Sequence, residues 1–366
     1  MTDTGKTAAD LRDRLWSAVL GGDAYTATDT LYQGLDIGLD TETLLLDVIG
    51  AVQEKVGTEW AADRITVAQE HAATAVNERV VTALVPSSPV PADTGWGPSR
   101  GRVTVACVEG EWHAFPARLV AEVLALRGWQ VDYLGAQTPG PHLITHLRRT
   151  GADAVLLSSS LPTRLPTAHA MIAACQAAGV PVMVGGRAFG PDGRYARACG
   201  ADRWAANARE AATALEGGLT AATPSPGSTT ARQPVDDLPH LADQEYTMVV
   251  KSRTRLVEET LAGLREEVPA LRLYTDVQHE RTAEDHAHIV DFLAAALYVD
   301  DTALFTGFIG WTADVLEARS VSPRCLVPGL HLLARRLHDF PRATALLHAG
   351  AATVAARPGT GPGNTA

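Results

Sequence analysis

RVTVACVEGEWHAFPARL, residues 102–119, decides the fold. The first part, RVTVACV, is an apolar and partly β-branched run that reads as a buried strand. FPARLVAEVLALRG follows as a helix closed by Gly128, with Pro116 suited to its first turn. Between them lies Glu109-Gly110-Glu111-Trp112-His113. The alternation continues downstream: strand WQVDYLG, helix PGPHLITHLRRTG, strand ADAVLLSSS, helix LPTAHAMIAACQAAG, strand VPVMVGG, then YARACG, an extended ADRW and the helix AREAATALEGG. Val-, Ala- and Leu-rich strands separated by helices predict a parallel, doubly wound α/β sheet.

Two stretches rich in Pro, Ser and Gly, 85–101 and 219–240, read as linkers, and the tail after Arg357 as disordered. They divide the chain into blocks 1–85, 100–218 and 240–356. The first block carries apolar residues at helical spacing in LRDRLWSAVL, LYQGLDIGL, TETLLLDVIGAVQEKVGTEW and TVAQEHAATAVNERVVTALV, which predicts an N-terminal four-helix bundle. Thr41 can cap one helix, and Thr66 with Gln69 makes a capping box for the last. The third block, with MVVKSRTRLVEETLAGLREE, RTAEDHAHIVDFLAAALYVDD, ALFTGFIGWTADVLEARSV and CLVPGLHLLARRLHDF, predicts a larger all-α domain.

Composition narrows the class. Hydrophobic residues are 46% and charged residues 20%, normal for a globular protein. No apolar run approaches the ~18–20 residues of a membrane span, and the N-terminus lacks an apolar signal core. Cys107, Cys175, Cys199 and Cys325 are scattered, as expected of reduced core residues in a cytoplasmic protein. A net charge of −11 argues against direct nucleic-acid binding.

Ligands of open parallel sheets bind beyond the carboxyl ends of the strands. In a 2-1-3-4-5 order, Glu109–His113, Ser158–Pro162 and Gly185–Arg187 would line one crevice. A loop His with a carboxylate two residues before it is a metal-ligand arrangement, because the carboxylate can hold the other ring N–H. A solvated loop His in an empty domain is the alternative. In the first block, Trp60 ends one helix, while Glu70 and His71 begin the next. They can converge over one ligand, or be a core Trp beside a solvated helix start.

The second block resembles cobalamin-binding domains, which carry D/E-x-H-x-x-G, S-x-L and G-G at these strand ends. Here the motifs read Glu111-Trp112-His113, Ser159-Ser160-Leu161 and Gly185-Gly186, with Pro116 where the family has Gly. The resemblance implies a flavodoxin-like (Rossmann-type) cobalamin-binding domain with these residues at the corrinoid. It makes His113 the lower axial ligand of cobalt, and Ser159 and Gly186 the lining of the slot for the dimethylbenzimidazole tail. Trp60 followed by Glu70-His71 is similar to the W-x9-E-H motif of light-sensing cobalamin proteins, whose bundle covers the adenosyl group. In their light-dependent repressors a His follows the Trp. Ala61 stands there, so a second cobalt-capping His does not carry over. Those repressors also begin with a helix-turn-helix domain, and no such domain is expected here.

The three-block arrangement resembles the photocobilins, which join a cobalamin module to a globin-like, bilin-binding domain. That implies biliverdin, held non-covalently, in the third block. From the residues, apolar walls and polar groups for a flat tetrapyrrole are available in His286, His288, Tyr298, Trp311, Arg324 and His331. His288, with Phe292 and Leu293, is expected to face inward. Each can equally be an ordinary core or surface residue, and haem is a rival ligand. Cys325 is not expected to form a thioether.

The function implied is a photoreceptor, not an enzyme: adenosylcobalamin held base-off by His113, light cleaving the Co–C bond, and a domain rearrangement signalling to an unidentified protein partner, in a homodimer. The alternatives are a corrinoid methyl-carrier of a methyltransferase system, and a non-photochemical cobalamin- or haem-sensing adaptor.

Overall fold

The computed structural model describes residues 3–85, 100–219 and 243–357. The expected linkers, apart from their edge residues, and the tail lie outside the described residues. The chain divides into two compact units, Met1–Ala231 and Arg232–Ala366.

The first unit opens with α1 (Asp3–Leu20), α2 (Ala24–Asp36) and α3 (Thr41–Thr43). The last runs through a π-helical stretch, Leu44–Gly50, into α4 (Ala51–Ala61); α5 (Val67–Leu84) completes the bundle. Its third long helix is thus continuous but wider in the middle. The helices meet over fully buried Leu15, Leu44, Ile49, Val56 and Val80. Thr66 and Gln69 do form the capping box at the start of α5. Thr41, however, is the first helical residue; the cap is Asp40, whose carboxylate accepts from the Thr43 amide. A carboxylate at that position satisfies an orphan amide and suits the positive end of the helix dipole.

The sheet contains β1 (Arg102–Cys107), β2 (Gln130–Gly135), β3 (Ala154–Ser158), β4 (Val182–Gly185) and β5 (Arg203–Ala205), in the order β2-β1-β3-β4-β5. All the pairings are parallel, as the alternating pattern predicts. The crossovers are α6 (Phe115–Leu126), α7 (Gly140–Thr150), α8 (Leu165–Ala177) and α9 (Arg194–Ala198), with α10 (Ala208–Glu216) after β5. Cys107 pairs with Ser158, and Ser158 with Gly185, so β1, β3 and β4 end level. The winding reverses between β1 and β3, the place where such sheets open a crevice. Bundle and sheet share one apolar core: Leu45 and Ile49 belong to the same cluster as Phe115 and Leu124. At its rim, Arg127 reaches Glu42 at 2.9 Å and Arg209 reaches Asp47 at 2.8 Å.

The second unit consists of α11 (Glu245–Glu267), α12 (Asp276–Val299), α13 (Thr302–Ala318), α14 (Leu326–Arg336) and α15 (Pro341–Ala355). Among the described residues it is all-α, as expected, with one α-helix more than the pattern predicts. The stripe of α15 is Ala343, Leu346, Leu347, Gly350, Ala351 and Val354, half of it small residues. Buried Glu245 accepts from the amides of Arg342 and Ala343 and so caps that helix from α11.

Three cysteines are buried, and burial pushes the Cys107, Cys175 and Cys199 thiols up to about 12. Cys325 is exposed instead of lying in a core. No described helix is long and apolar enough to cross a membrane.

Candidate functional site

The loop after β1 is organised by one carboxylate. Glu111 is 0% exposed. Its Oε1 accepts from the amides of Trp112 and His113 at 3.0 Å each and lies 2.5 Å from His113 Nδ1. Its Oε2 accepts from Ser159 Oγ at 3.1 Å, the Ser160 amide at 2.7 Å and the Leu161 amide at 3.1 Å. Glu111 therefore ties the loop after β1 to the loop after β3. Burial works against its charge, but the hydrogen bonds from His113 and the backbone amides outweigh it and hold the carboxyl at about 2.

The same bond settles the imidazole. With a carboxylate on Nδ1, the proton of the neutral ring sits there and Nε2 keeps its lone pair. The His113 side chain is 51% exposed, so that nitrogen is accessible. The Glu111 hydrogen bond raises the His113 pKa against desolvation, and the charge of Glu70 adds to the rise. Glu70 of the bundle is thus within electrostatic reach of the loop after β1. Trp112 is 71% exposed and stands edge-on to the His113 ring at 6.4 Å.

The loops after β3 and β4 are laced together. The Ser159 amide donates to the Gly185 carbonyl at 3.1 Å, and the Ala188 amide to the Ser159 carbonyl at 3.1 Å. Gly186 has φ +100°, and a Cβ there would lie 2.2 Å from the Ser159 carbonyl oxygen. Only glycine fits that approach. Glu111, Trp112, His113, Ser159, Ser160, Leu161, Gly185 and Gly186 are accordingly brought together, as the three-strand-end reading predicts. Pro116 sits in the first turn of α6.

In the bundle, Trp60 lies in the last turn of α4, half-buried against the shared core. Glu70 and His71 open α5, and His71 Nδ1 is 2.5 Å from Glu70 Oε2. Sequence reasoning did not single out Gln53, Thr74 and Asn77, which hydrogen-bond in a row behind Glu70. Part of the signal was present: Glu70, Thr74 and Asn77 share one face of α5 at i, i+4 and i+7.

The donor chemistry fits a corrinoid. An accessible imidazole Nε2, with its ring fixed from behind by a buried carboxylate, is what a protein ligand to cobalt requires.

The residues expected around a tetrapyrrole in the second unit have separate surroundings. His286 is 5% exposed, and its Nδ1 donates to the Thr282 carbonyl at 2.8 Å. Its Nε2 presses on α14, where a Cβ at Gly329 would lie 2.2 Å away. His288 is exposed, contrary to the inward orientation expected. The buried stripe of α12 runs through His286, Ile289, Val290, Leu293 and Leu297, which turns position 288 outward. Tyr298 is buried, edge-on to Tyr246 at 4.9 Å. Trp311 is 46% exposed beside Phe308, which stacks on Phe292 at 3.7 Å. Arg324 and His331 are exposed.

Comparison with known proteins bears on the first unit. Residues 101–216 match the B12 binding domain family, and residues 11–85 match a second family of B12 binding domains. Over 186 residues the chain is 32% identical to the HTH-type transcriptional repressor CarA of Myxococcus xanthus, covering 49% of this chain and 59% of that protein. The match thus spans less than two thirds of the repressor. A corrinoid protein of Desulfitobacterium hafniense (strain Y51) is 24% identical over 207 residues, 55% of this chain and 94% of that one. Among solved structures, the monomethylamine corrinoid protein of Methanosarcina barkeri aligns over 57% of this chain and 98% of its own, with 20% identity and a TM-score of 0.49. The family matches and the two curated relatives support a cobalamin-binding protein.

Proposed function

We propose that this chain is a corrinoid carrier protein, holding its cofactor between the helical bundle and the carboxyl ends of β1, β3 and β4. His113 Nε2 would hold the cobalt, with Glu111 fixing the ring and its tautomer from behind. Ser159, Ser160, Leu161, Gly185 and Gly186 flank the slot for the nucleotide tail. Trp60, Glu70 and His71 would cover the corrinoid from the bundle side, over the group that the cobalt carries there. When bound, the corrinoid supplies a reactive cobalt–carbon bond; the chain itself binds, orients and shields, and catalysis belongs to a methyltransferase partner. The Glu111–His113 pair carries this reading, supported by the matches to B12 binding domains and to a corrinoid protein.

A second reading, a light sensor using adenosylcobalamin, is favoured by Trp60 with Glu70-His71 and by the 32% identity to a transcriptional repressor. In that reading the second unit is globin-like and binds biliverdin, and the protein signals as a homodimer.

One experiment separates them. The purified chain is loaded in the dark with methyl- or adenosylcobalamin, then illuminated or offered a thiol acceptor with a methyltransferase. Methyl transfer, with no light-dependent change of assembly, is expected. A green-light change in oligomeric state of the adenosyl form, without methyl transfer, would establish the sensor instead. In either case His113→Ala abolishes base-off binding.

A further inference from the structure

Three polar side chains within the bundle are not used by the site as described. Asn77, on α5, is fully buried, and its Nδ2 donates to Gln53 Oε1 at 2.8 Å. Gln53, on α4, donates from Nε2 to Thr74 Oγ at 2.8 Å. Thr74 donates its hydroxyl proton to Glu70 Oε1 at 3.2 Å. All the bonds point the same way. A carboxylate can only accept, so Thr74 must donate to it; its lone pair then takes the Gln53 amide proton, and the Gln53 oxygen takes that of Asn77. Such chains polarise their members and strengthen the terminal bond.

The far end shows that the direction is fixed. Asn77 Oδ1 is buried without a hydrogen-bond partner among the described residues, which costs stability. Turning the amide over would not relieve it, because the oxygen would then stand 2.8 Å from Gln53 Oε1, acceptor against acceptor. A leucine at this position would avoid the cost but leave Gln53 free to rotate. At the near end, His71 Nδ1 engages the other oxygen of Glu70 at 2.5 Å. Glu70 is therefore held at both oxygens, at the start of the helix within electrostatic reach of His113.

We propose that Asn77, Gln53 and Thr74 form a positioning relay that presents Glu70 as a fixed acceptor to the upper axial group of the corrinoid. The relay favours a group bearing O–H or N–H donors over a methyl group. This rests on the corrinoid reading above. The donor is either water on cobalt or a hydroxyl of an adenosyl group.

The test titrates the full chain in the dark with methyl-, aquo- and adenosylcobalamin, read by visible absorption. Thr74→Val and Gln53→Leu are each expected to weaken aquo- or adenosylcobalamin binding by about 5–10-fold relative to methylcobalamin. Thr74→Ser, which keeps the hydroxyl, restores the preference. Loss confined to aquocobalamin identifies bound water as the donor, and loss confined to adenosylcobalamin identifies the nucleoside. Equal weakening of all three, or none, in both variants overturns the relay. Glu70→Gln locates a failure. If it shifts the preference while Thr74→Val and Gln53→Leu do not, the relay alone is wrong. If Glu70→Gln leaves the preference unchanged, Glu70 does not face the upper group, and the reading of that face falls with the relay.

Discussion

Glu111 does more than orient His113. Its two oxygens take the amides of two loops, the ring of His113 and the Ser159 hydroxyl. Glu111→Gln puts an NH2 against some of those donors and removes the charge that the rest require. Isothermal titration is expected to show a ~10–100-fold loss of cobalamin affinity, and denaturant unfolding a loss of ~1–3 kcal/mol in the unliganded chain. Unchanged affinity would mean that the imidazole is not held from behind. Gly186→Ala forces both a positive φ and a clash with the Ser159 carbonyl, and differential scanning calorimetry should register at least ~1–3 kcal/mol of destabilisation. In the second unit, burial lowers the His286 pKa, outweighing its bond to the Thr282 carbonyl. The unfolded chain takes up a proton near about pH 6.5 while folded His286 stays neutral. Its contribution to stability is therefore complete above that pH and is lost as pH falls toward its lowered folded value. Urea unfolding of the second unit between about pH 7.5 and 5.5 should show this slope, and His286→Gln should flatten it; an unaltered slope in the variant would place the titration elsewhere.

At the scale of elements, the start of α5 matters most, because Glu70 and His71 lie in its first turns. Thr66→Ala removes the capping box and should cost about 1 kcal/mol, with faster amide exchange over residues 67–71 in hydrogen-exchange mass spectrometry. Slow exchange in the variant would show that tertiary contacts alone hold the turn. The strands were readable because buried parallel strands are near-continuous apolar runs, broken only by Thr104 in Val103–Val108 and unbroken in Val155–Leu157, and the loops between them carried the charged, glycine and hydroxyl residues of the site. Other features depended on facts a single chain segment does not contain. Half of the α15 stripe, Ala343, Gly350 and Ala351, is small because the helix lies close to its neighbours: a Cβ on Gly350 would meet Phe305 at 2.8 Å. Small residues give a weak periodic signal, so the helix went unpredicted. His288 and His286 are two apart, and only the packing of α12 decides which faces inward. The Gln53–Thr74 bond joins two helices, and its existence depends on how α4 and α5 are set against each other.

For the whole molecule, the compact first unit carries every residue assigned to the corrinoid, and its bundle and sheet share a single core. A fragment of residues 1–219 should unfold in one cooperative transition and bind cobalamin within about 2-fold of the full chain; separate transitions for bundle and sheet would deny that the core is common. Everything assigned to the corrinoid rests on the bond between His113 and cobalt. Electron paramagnetic resonance of the cob(II)alamin-loaded protein reads the lower ligand from its nitrogen superhyperfine pattern. With histidine labelled by nitrogen-15, the triplet splitting of each line is expected to become a doublet, and His113→Ala to remove the label's effect. A triplet unaffected by the label would mean that dimethylbenzimidazole still occupies the lower position and that His113 is not the ligand.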